Sequence, residues 1–137
     1  MLSLADTVRA TRILHLVLFL SVILYVFVGE ALHPAAQNIP AIVQYGFLIV
    51  AGGVVVVAVV FRQMTAGQAE EVLCRNPEDV VAIGRWRVGQ LVSCVLAESV
   101  ALFGFALRFL GVSFGRAAPF YSAAILLFVI FRPTEPR

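Results

Sequence analysis

Residues Gly89 to Leu110 read G-Q-L-V-S-C-V-L-A-E-S-V-A-L-F-G-F-A-L-R-F-L. This apolar run is long enough to cross a bilayer, and it carries a carboxylate, Glu98, near its midpoint. An ionisable group at that depth costs roughly 2.5–3.5 kcal/mol on insertion scales. The fold must therefore supply Glu98 with partners, which makes it the leading candidate site. The rest of the chain fits the same setting. It is 61% hydrophobic and 13% charged, where soluble domains carry about 25% charge. Mean hydropathy is +0.99.

In lipid, only helices and closed barrels satisfy every backbone polar group. The chain lacks the alternating segments of a barrel. The expected fold is all-α, an integral membrane four-helix bundle with a long third helix, forming a single membrane domain over 1–137. The spans fall at about 13–32, 41–61, 88–110 and 117–131, with a cytoplasmic loop at 62–87. Residues 1–12 read as an interfacial lead-in. A secretory signal is the rival for the first span, with Arg9 and Arg12 in front and Gly29-Glu30-Ala31 as a cleavage site, but the apolar stretch exceeds the usual signal length. The second span holds V-V-V-V after Gly52-Gly53. That is strand-like in water, yet helix is the reading that lipid permits.

Within the polar segment, Thr65 and Gln68 form a T-x-x-Q pattern that predicts a capped short helix. Asn76-Pro77-Glu78-Asp79 predicts a second start, with Asn76 as the cap and Pro77 at the first helical position. The helix from Pro77 to Leu110 would be about 50 Å long, so its first turns stand outside the apolar layer. Arg85-Trp86-Arg87 then reads as an interfacial belt. All ten basic residues are arginine. Their distribution places both termini and the 62–87 loop on one side, the cytoplasmic side of a bacterial inner membrane.

Counting depth at 1.5 Å per residue puts Tyr25 and Ser21 of the first span level with Glu98. They are its expected hydrogen-bond partners, with Ser99 helping. No arginine is expected at that level, so desolvation favours the neutral acid. Glu98 is thus either a polar fastener between helices or a proton-binding group. Gly89, Ser93, Ala97 and Ala101 recur every fourth residue, with Gly104 close to the same line. They form a face that lets another helix backbone approach. Glu30 and Arg108 lie near the opposite boundary and form a candidate ion pair. His15 and His33 read as boundary and loop residues, Cys94 as a packing residue, and Cys74 as a loop thiol too far in depth to bridge to it. No metal-ligand spacing, catalytic constellation or nucleic-acid motif is present, and a net charge of +2 implies no nucleic-acid partner.

Residues 45–110 resemble the proteolipid hairpin, subunit c, of rotary ATP synthases. Arg75-Asn76-Pro77-Glu78 is similar to that family's A-R-[QN]-P-E loop. Ala97-Glu98-Ser99 followed by Leu102-Phe103-Gly104-Phe105 is similar to its carboxylate-bearing outer helix. The resemblance implies that Glu98 binds a proton and that residues 75–78 form a cytoplasmic loop. The chain departs from the family in several ways. Pro77 and Glu98 stand about one helical turn farther apart, allowing 3.6 residues per turn. Gly52-Gly53 replaces a repeated G-x-G-x-G. There are four spans where the family has two. No glutamine at mid-depth on the second span matches the family's sodium-binding members.

The expected function is that of a small non-enzymatic polytopic membrane protein acting through helix packing, as an oligomer or an accessory subunit. Its partners would be the lipid bilayer and itself or other membrane subunits, and no cofactor is expected. The alternative is a proton-translocating or proton-coupled protein that uses Glu98.

Overall fold

The computed structural model describes residues 4–32 and 39–133, and all regular structure among them is helical. In chain order the elements are α1 (Leu4–Leu32), α2 (Ala41–Arg62), a π-helical turn (Gln63–Gly67), α3 (Gln68–Arg75), α4 (Val80–Phe109) and α5 (Phe114–Ile130). The turn and α3 continue α2, so that Ala41–Arg75 is one helix of 35 residues. Three helices are long and apolar enough to cross a membrane, and α5 is a shorter apolar helix. His33 and the tail beyond Pro133 lie outside the described residues.

Local chemistry sets the helix ends. Pro40 is extended, at φ −53° and ψ 136°, and has no N–H to join a helix ladder, so α2 starts behind it. α3 stops where Asn76 turns extended. α4 starts at Asp79, whose Oδ1 accepts from Val81 N at 2.9 Å and Ala82 N at 3.0 Å. This corrects the expected cap at Asn76. Asn and Asp cap about equally well, but the Asp79 carboxylate also opposes the helix dipole with a full negative charge. The end of α4 is a Schellman motif: Gly111 takes φ 89°, Val112 N reaches Leu107 O, and Gly111 N reaches Arg108 O, both at 3.0 Å. Only glycine adopts that φ without strain.

Three other local expectations are overturned. Residues 4–12 are the first turns of α1 rather than a separate lead-in, and Thr7, Val8 and Thr11 are buried. Thr65 caps nothing: its Oγ1 donates back to Phe61 O at 2.6 Å inside the continuous helix. Trp86 is 0% exposed rather than interfacial, and its Nε1 donates to Glu70 Oε1 at 3.2 Å. It fills a small core with Val8, Ala66, Ala69, Leu73 and Ala82. The 62–87 segment, expected as a loop carrying two helix starts, is a helical hairpin whose small core includes Val8 of α1.

α4 is the central element. Within its most apolar window, 44% of residues are buried, against 11% in each of α1 and the long second helix. The contacts His15 to Cys94, Ser21 to Glu98 and Glu30 to Arg108 rise together in number, so α1 and α4 run parallel. Parallel neighbours need a long crossover, and α2 with α3 supplies it. α2 and α5 each pack on α4 and barely on each other. The main core joins Val22, Ala58, Ala97, Ala101, Leu107, Ala124 and Phe128.

Candidate functional site

Glu98 faces α1 from the middle of α4. Its Oε1 accepts from Ser21 Oγ at 2.5 Å and from Tyr25 OH at 2.8 Å. Ser21 and Tyr25 are four residues apart, so one helical face presents both hydroxyls to one oxygen. The Tyr25 ring also lies against Phe105, centroids 5.7 Å apart. Glu98 itself is half-buried, next to Ala97 at 0% exposure. Ser99 does not join the group, because its hydroxyl donates to Val95 O at 2.9 Å. That back-bond is the usual use of a serine within an apolar helix.

Proton counting constrains this cluster. Ser21 Oγ also lies 2.7 Å from Leu18 O, and a hydroxyl has one proton to give. If Ser21 donates to Leu18 O alone, the short contact to Glu98 is a hydrogen bond only when Glu98 carries the proton and donates to Ser21 Oγ. If Glu98 does not donate, the one Ser21 proton is shared between Leu18 O and Glu98 Oε1 as a three-centre bond.

One face of α4 is consumed inside the chain. Gly89, Ser93, Ala97, Ala101 and Gly104 are all buried. A Cβ on Gly89 would lie 2.6 Å from Thr65 Oγ1 and 2.8 Å from Ala66 N, and one on Gly104 would lie 2.9 Å from Phe120 Cβ. The π turn thus seats on Gly89 and α5 on Gly104.

At the C-terminal end of α4, Arg108 Nε donates to Glu30 Oε1 at 2.6 Å and Nη1 to Val112 O at 2.8 Å. The guanidinium is buried while Glu30 is 41% exposed, so one arginine closes both the α1–α4 seam and the turn. Two further polar contacts lie toward the N-terminal end of α4. His15 Nδ1 lies 3.4 Å from Cys94 Sγ, and its ring meets Phe128 edge-on. His15 is thus tucked into the seam, and Cys94 has a polar neighbour beyond simple packing. Gln90 is 0% exposed. With its amide oriented to satisfy both ends, Nε2 donates to Phe131 O at 3.2 Å and Oε1 accepts from Arg62 Nη2 at 3.3 Å. Arg62 also donates to Ile130 O at 3.0 Å and lies over the Phe131 ring, binding α2 to the end of α5. The signal for this group was a glutamine within an apolar run and an arginine ending another.

Among the described residues, no three His, Cys, Asp or Glu side chains stand close enough to hold a metal ion. No family model, curated protein or solved structure matches the chain. The partners of Glu98 come from α1, outside the stretch that resembles the proteolipid hairpin.

Proposed function

We propose that this chain is a small, non-enzymatic, multi-pass membrane protein that works by helix packing, as an assembling subunit with α2 as its outward contact. α2 carries the observation behind this reading. Gly46, Gly52 and Gly53 are exposed, and an added Cβ at any of them meets nothing within 4 Å. Gly46 and Gly53 are a heptad apart, so they share one helical face, flanked by Ile42 and Ile49 at 79% and 75% exposure. In lipid, small residues on an outward face let a second helix backbone approach closely. The comparable face of α4 is filled by this chain's own helices. The arginine bias supports a topology with both termini on the cytoplasmic side. The test is the size of the assembly in lipid nanodiscs or native membranes. Gly53→Leu should reduce it to the monomer without loss of helix content, whereas Gly84→Leu, on the exposed start of α4, should not. An unchanged assembly in Gly53→Leu sinks the reading.

A second reading is supported by the two hydroxyls, Ser21 and Tyr25, gathered on one carboxyl oxygen of Glu98 within an apolar helix. Glu98 would then be a proton-binding carboxyl in a proton-coupled protein, the role that the proteolipid resemblance implies. Carbodiimide labelling of native membranes across pH tests it, with Glu98→Gln as the blank. Labelling that falls as pH rises, together with loss of proton flux in Glu98→Gln, supports proton handling. An acid that never labels is a fastener of α1 to α4.

A further inference from the structure

Toward the C-terminal end of α4, a groove of about 400 Å³ lies between α2 and α5. Leu107 of α4 forms its floor, with Leu48 of α2 and Phe120 of α5 as walls. Its mouth is polar: Arg116 Nη1 donates to Gln44 Oε1 at 3.3 Å, and Gln44 Nε2 donates to Ile39 O at 3.4 Å. Gln44 is thereby oriented with its oxygen toward the arginine. Tyr45, 65% exposed, stands at the same mouth.

Arg116 is the notable member. It is exposed, and among the described residues no carboxylate pairs with it; its partner is a neutral amide. The other arginine at this end, Arg108, is committed to Glu30 and Val112 O. Gln44 and Arg116 lie in the first turns of α2 and α5. Those turns fall at the boundary of the apolar layer, where headgroup phosphates sit. An apolar slot under a cation at that level has the two chemistries of a phospholipid. Arginine is suited to phosphate by its forked donors.

We propose that this groove is a binding site for a glycerophospholipid, with the phosphodiester on Arg116 and Gln44 and one acyl chain along Leu48, Leu107 and Phe120. The site rests on the membrane-spanning reading above, but not on assembly through α2 or on the role of Glu98. Arg116 is then a headgroup anchor, and Gln44 positions it.

The test is native mass spectrometry of the full chain in mild detergent, titrated with dioleoylphosphatidylglycerol. Phosphate-free dioleoylglycerol and inorganic phosphate are the comparison ligands. Arg116→Gln should lower retained phosphatidylglycerol about tenfold, the equivalent of one charge-assisted hydrogen bond. Leu48→Trp, which fills the slot and leaves the arginine, should lower it as well. Arg87→Gln, exposed at the far end of α4, should bind as the parent does. Circular dichroism checks that each variant keeps its helices. Equal retention by the parent and Arg116→Gln overturns the site. So does an equal fall in Arg116→Gln and Arg87→Gln, which would mean bulk charge. Dioleoylglycerol held as tightly as the phospholipid overturns it too, as does displacement of the lipid by inorganic phosphate. Carbonate extraction of the source membranes separates the two levels: release of the protein overturns the membrane reading itself, while retention with indifference to Arg116 overturns only the site.

Discussion

Glu98 shows how one residue constrains its neighbours. A buried polar group left without partners costs about 1–3 kcal/mol, so an acid in an apolar helix must find hydroxyls at its own depth. Ser21 and Tyr25 are those hydroxyls. Removing the Tyr25 hydroxyl should therefore destabilise the chain, while leaving the ring contact with Phe105. We expect Tyr25→Phe to cost about 1 kcal/mol, read from reversible unfolding in detergent; no change would mean the bond carries no net stability. The ion pair of Arg108 with Glu30 makes a second prediction. Reversing either charge should lower the melting temperature, and reversing both should restore part of the loss. Recovery stays partial because an arginine at position 30 cannot replace the Nη1 bond to Val112 O. A double reversal no better than the worse single one would remove the pair as a coupling.

At the level of the element, α4 is read most easily from its small residues. The four-residue recurrence from Gly89 to Ala101 marks a face meant for close approach, and those residues are buried. What they approach was not written in the spacing. Gly89 receives the π turn, because its missing Cβ admits Thr65 and Ala66. Ala66 of that turn, with Ala69 and Leu73 just after it, packs with Trp86 in the small core. Gly89→Val should therefore disrupt the small core around Trp86, seen as a red shift of tryptophan emission on exposure to water. Gly84→Val, where an added Cβ has open space, should leave the emission unchanged. Equal spectra for the two variants would mean that the turn does not depend on Gly89. The capping signals illustrate the opposite case. Thr65-x-x-Gln68 and Asn76-Pro77 are genuine start patterns, yet helix continuity in one and the Asp79 carboxylate in the other won locally.

For the whole molecule, the arrangement is a central helix with three others laid on it, two of which leave most of their apolar surface outward. That surface needs a solvent as apolar as itself, which is the physical content of the membrane reading. The proposed orientation rests on the arginine bias and is testable with the protein's own thiols. Cys74 is exposed and Cys94 buried. A membrane-impermeant maleimide should label Cys74 in inverted vesicles and not in right-side-out ones, with Cys74→Ser as the blank. Labelling from the opposite side would invert the topology.

Sequence alone determined that the chain is helical and apolar, where its main apolar segments lie, and which side chains share a depth. These follow from composition, helix rise and the cost of a bare backbone in lipid, all of which are local or one-dimensional. Depth counting could therefore set Ser21 and Tyr25 beside Glu98, and Glu30 beside Arg108. Only the tertiary structure decided the azimuth, meaning which face of each helix meets which neighbour. That depends on side-chain shapes fitting across elements distant in sequence. Trp86 turned inward because α1, α3 and α4 together leave a space of its size. Ser99 turned to its own backbone because Ser21 and Tyr25 stand on the α1 side of Glu98. His15 met Cys94, and Arg62 met Gln90, for the same reason: spacing along a helix fixes height, and packing fixes direction.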